Sequence, residues 1–496
     1  MAPEKVIQLD VREARTYFIG PEKKLRVMFK ALRVRDKNSY WKSRYLLRKF
    51  AYLGEEKLEQ IEKRAKWVRF YNRRDDSFST GLLPRVERRL RKQGVEYRIR
   101  DQRREIPTRG EAFKKVNFMD EIEARPEQIT LIKTALRCGK GILHAATNFG
   151  KTEVACAIIA AYREQTGRVP RCLFLIHRAG LAAQTVKRFQ KHLDPDVFPI
   201  SLIGAGSKDI PKKGIIVATT QTCSNMLEYR DRDLMKFLGC TDILFIDEFH
   251  VNKAWQLTRI TDKCQAPMRF GLSGTIDKKN KMKMLHYEGM AGPIIAEVRN
   301  KELVGLGRSA KPFIRFREVH APKLQVDSFG EAYREGIVKN TFRNGLVCKD
   351  IVRYVKKDYR TLVTVGRIKH GWTLKEKLER RMDVPVEFIQ GSTPVAIREK
   401  LVQRFEAGDI AVLIASPIFD VGMDVPAIEA WVNAAGGKGW ELVLQRLGRV
   451  LRKKKGKKNR VFISDYVDLH NKYLMKHSIA RIKHYVAEEI AEITYV

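Results

Sequence analysis

From about residue 120 onward the chain repeats one pattern: a short β-branched or apolar run, a turn, and a stretch with helical spacing. The runs are GILHA (141–145), RCLFLIH (171–177), GIIVATT (214–220), DILFID (242–247) and MRFGLSG (268–274). After an interval come TLVTVG (361–366), VEFIQ (386–390), AVLIAS (411–416), EAWVNAA (429–435) and RVFISD (460–465). Apolar strands alternating with helices are the signature of βαβ units, whose parallel sheets are covered on both faces. Two blocks of five such runs therefore predict two α/β domains. The interval 276–345, rich in Lys, Gly and Pro, reads as an insertion followed by a linker.

Three segments within this pattern carry chemistry. AATNFGKT (145–152) follows a strand and precedes the apolar helical run VACAIIAAY, the setting a phosphate-binding loop requires. Backbone N–H groups of Thr147, Asn148, Phe149 and Gly150 would surround phosphates, Lys151 would add a positive charge, and the Thr152 hydroxyl would ligate Mg²⁺. Ala145 stands where the strict loop pattern has its first glycine. DEFH (247–250) ends the run DILFI, so Asp247 and Glu248 project beyond the carboxyl end of a strand about 95 residues after the loop. Asp247 suits Mg²⁺, and Glu248 suits orienting or deprotonating an attacking water. QRLGRVLR (445–452) sets Arg449 and Arg452 on one helical face, because residues three apart are neighbours there. Two guanidiniums suit the charge that spreads over a γ-phosphate in its transition state.

Charge names the other partner. The 97 Lys and Arg outnumber the 58 Asp and Glu, a formal +39, and such an excess predicts a polyanion, since neutralised phosphates release counterions. Residues 1–110 hold 31 basic and 15 acidic residues, two-fifths of the net charge in about a fifth of the length. Aromatics stand among those bases (Tyr40, Trp41, Tyr45, Phe50, Trp67, Phe70, Tyr71), read here mostly as the core of a small basic module that DQRREIPTRG (101–110) brings to an end. No apolar run approaches the roughly 20 residues of a bilayer-spanning helix, and the N-terminus lacks a secretory pattern. Seven scattered cysteines without a CxxC pair read as reduced thiols, so the expected location is the cytoplasm, a host's cytoplasm if the gene is a phage's.

In order and separation, the phosphate loop, DEFH and QRLGRVLR resemble motifs I, II and VI of superfamily 2 helicases, and AATNFGKT is similar to that family's APTGSGKT. The likeness covers about residues 120–470. It implies two tandem RecA-like domains with parallel sheets behind a small basic α+β domain: a nucleic-acid-binding module at 1–110, a first RecA-like domain at 111–300, a linker or insertion at 301–345, and a second RecA-like domain with C-terminal helices at 346–496. RPEQ (125–128) resembles the adenine-reading segment, which assigns Arg125 and Gln128 to the nucleotide. HRAGLAAQ (177–184) and ATTQT (218–222) look like motifs Ia and Ib, so His177, Arg178, Thr219, Thr220, Gln221 and Thr222 would hold a strand's backbone. GLSGT (271–275) resembles motif III, where Ser273, Gly274 and Thr275 would couple hydrolysis to movement. ASPIFDVGMDVPAIE (415–429) is similar to motif V, which assigns Ser416 to nucleic acid and Gly422 and Asp424, with Gln445 of motif VI, to the nucleotide.

Within the superfamily the likeness is greatest to phage branch-migration helicases of the UvsW type, and looser to the XPB and restriction-translocase groups. The resemblance implies a monomeric DNA helicase or translocase using ATP and Mg²⁺ to remodel forks and Holliday junctions in replication, recombination or repair. An RNA helicase of the same fold, and a DNA-annealing or architectural protein with a vestigial ATP site, are the alternatives.

Overall fold

The computed structural model describes residues 6–35, 57, 59, 66–106, 124–204, 206–249, 254–417, 419, 425, 428–437, 440–451 and 459–496. The chain divides into two compact units, one comprising Met1–Ala145 and Gly150–Glu297, the other Ala146–Phe149 and Val298–Val496.

The first unit begins with β1 (Ile7–Val11), β2 (Arg15–Ile19), β3 (Arg33–Arg35), β4 (Trp67–Arg69), β5 (Tyr71–Asn72), β6 (Ser77–Ser79) and β7 (Tyr97–Asp101). A five-stranded sheet runs β5-β6-β2-β1-β7, and β3 pairs with β4 apart from it. In β1, IQLDV alternates so that Ile7, Leu9 and Val11 are fully buried, as a half-buried strand requires. They meet Leu25, Met28 and Phe29 of helix Glu22–Ala31 and Val86 and Leu90 of helix Leu83–Lys92. Of the aromatics expected in this core, Phe70 and Tyr71 pack against it, Trp67 is an exposed shelf for the Arg33 guanidinium, and Tyr40, Trp41, Tyr45 and Phe50 lie outside the described residues.

This module is not a separate bead. Leu285, from helix Lys281–Ala291, belongs to the same apolar cluster. Arg85 grips Glu288 with two hydrogen bonds of 2.7 and 2.9 Å, Arg15 pairs with Asp262 at 3.1 Å, and Lys140 with Glu13 at 2.9 Å. Part of the interval read as an insertion is thus the seat of the N-terminal module.

The rest of the first unit is an eight-stranded sheet of β8 (Lys140–Ala145), β9 (Arg171–Ile176), β10 (Ile200–Gly204), β11 (Ser207–Lys208), β12 (Gly214–Thr219), β13 (Ile243–Asp247), β14 (Met268–Ser273) and β15 (Ile294–Val298). Their order is β11-β10-β12-β9-β13-β14-β8-β15. The pairs β10·β12, β12·β9, β9·β13, β13·β14 and β14·β8 are all parallel. Every residue of β12 and of β14 is buried, which is why these runs read as apolar without alternation. The parallel register brings the carboxyl ends of β8, β13 and β14 to one edge, where ligands bind in sheets of this class.

The second unit is a seven-stranded sheet, β18-β19-β17-β20-β21-β16-β22, made of β16 (Lys311–Val319), β17 (Thr361–Thr364), β18 (Val386–Ile389), β19 (Val412–Ala415), β20 (Ala430–Asn433), β21 (Arg460–Asp468) and β22 (Glu492–Tyr495). The expected linker at 301–345 is corrected here: it supplies β16, an interior strand in register with β21 from Lys311↔Arg460 to Val319↔Asp468. Its sequence KPFIRFREV buries Pro312, Ile314, Phe316 and Val319, with arginines between them, of which Arg317 is drawn inward to Asp350 at 2.8 Å, so it lacks the continuous apolar run of its companions.

A buried ionic network binds the helices of this unit to its strands. Arg343, at 0% exposure, donates to Asp468 Oδ1 (2.7 Å) and the Ala434 carbonyl (3.0 Å). Arg481, in helix Lys472–Glu488, pairs with Asp465 at 3.0 Å and donates to the Gly437 and Tyr466 carbonyls (2.6 and 2.7 Å). Asn433 Nδ2 donates to Asp465 Oδ2 at 2.9 Å, an oxygen it shares with Arg481 Nε at 3.2 Å.

Candidate active site

At the end of β8 the backbone turns sharply. Asn148 (φ 75°) and Gly150 (φ 89°) both occupy the left-handed region, and Gly150 opens helix Lys151–Thr166. A Cβ at Gly150 would also lie 2.5 Å from Gln128 Nε2, so glycine is required by backbone and by space. That distance also sets Gln128, expected from the sequence to touch the nucleotide, against the phosphate loop. Its Oε1 accepts the backbone N–H of Arg125 at 3.0 Å, closing the start of helix Pro126–Cys138. Thr147 and Asn148 are half-buried, and Phe149 is fully buried beneath the turn.

Lys151 Nζ donates to the Ala145 carbonyl at 3.3 Å and lies 3.5 Å from Glu248 Oε1. Asp247 ends β13, and its Oδ1 accepts the N–H of Glu248 at 3.1 Å. Glu248 is a third left-handed residue (φ 43°) at this edge. Phe249, which follows, fits over Gly271 of β14, where a Cβ would approach its ring to 2.9 Å. From the end of β14, the Ser273 hydroxyl lies 2.9 Å from the Thr275 carbonyl and 3.5 Å from Glu248 Oε2, either of which can accept its one proton, while Thr275 N–H donates to Ser273 Oγ at 3.1 Å; Gly274 is half-buried between them. Three sheet strands thus bring lysine, two carboxylates and a hydroxyl within reach of one another. Backbone strain concentrated there is what a pre-shaped ligand cradle shows.

Burial first, then the neighbouring Glu248 carboxylate, pushes the Asp247 carboxyl up to about 7 against the pull of Lys151. A carboxylate short of positive charge fits a divalent cation, which would favour its ionised form. No group of three His, Cys, Asp or Glu side chains suited to a metal occurs among the described residues. Mg²⁺ needs none, since it keeps several waters and takes one or two protein ligands beside phosphate oxygens. Thr152, half-buried in the first turn of the helix, is the other candidate ligand. Glu153 follows it: burial works against its charge, yet His192 and Arg188 hold its carboxyl down to about 2.

Farther along the same edge, Arg178 is exposed and His177 half-buried at the start of helix Ala179–His192. The residues of the ATTQT segment divide between buried and accessible positions. Thr219 caps helix Thr220–Glu228, its Oγ1 accepting the Thr222 N–H at 3.3 Å, and Thr220, 1% exposed, donates to the Ile176 carbonyl at 3.2 Å. Both hydroxyls hold the sheet edge together; Gln221 and Thr222 are the accessible pair.

In the second unit, helix Trp440–Val450 carries half-buried Gln445 and Arg449, whose Nη1 donates to the Phe419 carbonyl at 2.9 Å. Arg446, which sequence reasoning passed over, is buried and reaches Asn433 Oδ1 at 3.5 Å. Ser416 is buried at the end of β19, its N–H on the Ile389 carbonyl at 3.0 Å. Gly422, Asp424 and Arg452 lie outside the described residues.

Comparison with known proteins fits these features. Residues 121–278 match the family described as Type III restriction enzyme, res subunit, and residues 346–454 match the Helicase conserved C-terminal domain. The chain belongs to superfamily 2 of the helicases. Its architecture is accordingly two tandem RecA-like domains behind a small α+β region, and its family couples ATP hydrolysis to work on nucleic acid. This helicase is related to the ATP-dependent DNA helicase uvsW of Enterobacteria phage T4, 26% identical over 381 residues that cover 70% of this chain and 72% of that one. It is also 26% identical over 376 residues to the DNA 3'-5' translocase XPB2 of Sulfurisphaera tokodaii, covering 68% and 80%. Among solved structures, a fragment of an HsdR subunit of a type I restriction enzyme from Vibrio vulnificus shares the fold, with a TM-score of 0.55 and 18% identity over 74% of this chain and 68% of that one. No helix among the described residues is long and apolar enough to cross a membrane.

Proposed function

We propose that this helicase is a monomeric, cytoplasmic DNA motor that hydrolyses ATP with Mg²⁺ and remodels branched DNA, forks and Holliday junctions, in replication, recombination or repair. The observation that carries the reading is the meeting of Lys151, Asp247, Glu248 and Ser273 at one sheet edge, with Lys151 3.5 Å from Glu248. Lys151 and Glu248 offset each other's charge at that distance; a nucleotide's phosphates would draw Lys151 away and free Glu248 to orient water. Thr152 and Asp247 would hold Mg²⁺, which supplies neutralisation of developing phosphate charge. Arg125 and Gln128 would read the base, and Arg449 and Arg452 would meet the γ-phosphate. Gly422, Asp424 and Gln445 join the nucleotide contacts on the strength of the motifs alone. Arg178, His177, Gln221, Thr222 and Ser416 would follow a nucleic-acid backbone, which implies little sequence preference.

A panel of substrates tests this. ATPase and unwinding are expected to be stimulated by forked and four-way DNA above linear duplex and RNA; stronger stimulation by RNA would replace the DNA reading. Lys151→Ala is expected to lose hydrolysis while keeping much of its DNA affinity, which resides in the basic surface. Glu248→Gln is expected to bind ATP and turn it over slowly, and fast turnover by that variant removes Glu248 from its role.

A further inference from the structure

The turn joining helix Thr220–Glu228 to helix Arg232–Cys240 contains Tyr229, Arg230 and Asp231, none of which belongs to the nucleotide site. Arg230 holds φ 55°, a left-handed conformation in which a residue with a Cβ is disfavoured and glycine or asparagine is usual. A long charged side chain kept there against backbone preference points to a use for that side chain.

Arg230 lines a groove of about 580 Å³ with Leu227, Arg232, Met235, Arg259 and Lys263. Four of these six are cations and none is acidic, and Arg230, Arg232 and Lys263 form no ion pair among the described residues. Arg259 is partly committed, to Glu228 at 2.8 Å, and its guanidinium lies 5.1 Å over the ring of Trp255. Of the other nearby acids, Asp231 caps the following helix through the Leu234 N–H at 2.9 Å and Asp233 sits exposed in that helix's first turn, where a negative charge is favoured. Trp255 is 52% exposed and Tyr229 85%. The groove lies at the far end of a nine-residue helix from Thr219, roughly 13 Å away along its axis.

We propose that this groove is a second contact for single-stranded nucleic acid on the first unit, with phosphates held by Arg230, Arg232 and Lys263 and a base stacked on Trp255. The proposal rests on the nucleic-acid reading above and names a surface that the helicase motifs leave out. Unpaired cations beside exposed rings are how proteins hold single strands without reading sequence. Duplex DNA, whose bases are already stacked, would use the cations and leave the ring without a partner.

Fluorescence anisotropy with the full chain, a labelled oligo-dT and a blunt duplex of equal length, from 50 to 200 mM salt, tests it. Arg230→Gly/Arg232→Ala is expected to lower the slope of log affinity against log salt for oligo-dT by about 1.4, two single-strand phosphate contacts. Trp255→Ala is expected to weaken oligo-dT about tenfold and leave the duplex unchanged. Arg230→Gly alone is expected to keep or raise the melting midpoint, since glycine relaxes that backbone, so its lost affinity could not be lost fold. If both binding variants match the wild type on oligo-dT, the groove is not a nucleic-acid contact and the motor reading stands. If the wild type itself binds neither oligo-dT nor the duplex, the motor reading falls and takes the groove with it.

Discussion

At the carboxyl end of β13 in the first unit, Asp247 and Glu248 share Lys151 as a neighbouring cation, and burial leaves Asp247 reluctant to ionise. In the carboxyl-terminal half of β21 in the second unit, Asp465 and Asp468 are each clamped by a buried arginine, Arg481 and Arg343. Both sheets carry acids toward the carboxyl end of a parallel strand. The first leaves its acids short of positive charge, so that a cation or nucleotide has something to complete; the second neutralises its acids with its own helices, so that they hold the domain together. The difference teaches that an acidic strand end is a site or a brace according to whether the chain supplies the counter-charge.

The contrast can be broken most forcefully at Arg481. Arg481→Met would leave Asp465 buried without its partner and is expected to lower stability by about 3–5 kcal/mol, read as an early transition in calorimetry. Little change there would mean that the network is not a brace. Next in size is acid sensitivity. Burial holds the His370 imidazole down to about 3 and that of His144, in β8, down to about 4. An imidazole kept neutral by the fold contributes stability that is full above about pH 6.5 and lost as the pH falls towards those values. Each is expected to remove about 1.4 kcal/mol per pH unit below 6.5. His370→Asn should flatten that slope for the second unit and leave the first unit's slope in place. A smaller effect sharpens the other half of the comparison: in protein free of divalent cations, Asp247→Asn is expected to raise the melting temperature by ~2–4 °C while abolishing hydrolysis. A fall in melting temperature would show that the acid pair is already compensated. Smallest is Thr219→Val, expected to cost about 1 kcal/mol through the lost helix cap and to leave nucleic-acid affinity alone.

Legibility in the sequence followed the same physics. All ten expected runs are strands, because residues buried on both faces leave an uninterrupted apolar signal. In these two sheets β10, β11, β15, β16 and β22 lie outside the ten runs. In β16 alternation with arginine broke the run, and β22, EITY, has three of its four residues exposed. The phosphate loop and DEFH were legible because strand, turn and helix are consecutive in the chain. The duties of Thr219 and Thr220 were not, since whether a hydroxyl faces solvent or a carbonyl 44 residues away depends on strand pairing. Likewise the basic groove gathers Arg230 from a turn and Lys263 from helix Ala254–Lys263, and the Arg481–Asp465 brace is set by how the last helix folds back.

The way the N-terminal module is seated also bears on how this helicase could be dissected. With Leu285 in its apolar cluster and Glu13, Arg15 and Arg85 gripping the first sheet's surroundings, a cut near residue 110 would not release a working core from a dispensable appendage. It would strip a greasy face bare and orphan three charged partners, so the shortened chain should clump during purification rather than turn over ATP. It also means that whatever the module grasps travels as ballast on the first lobe, with no swivel of its own.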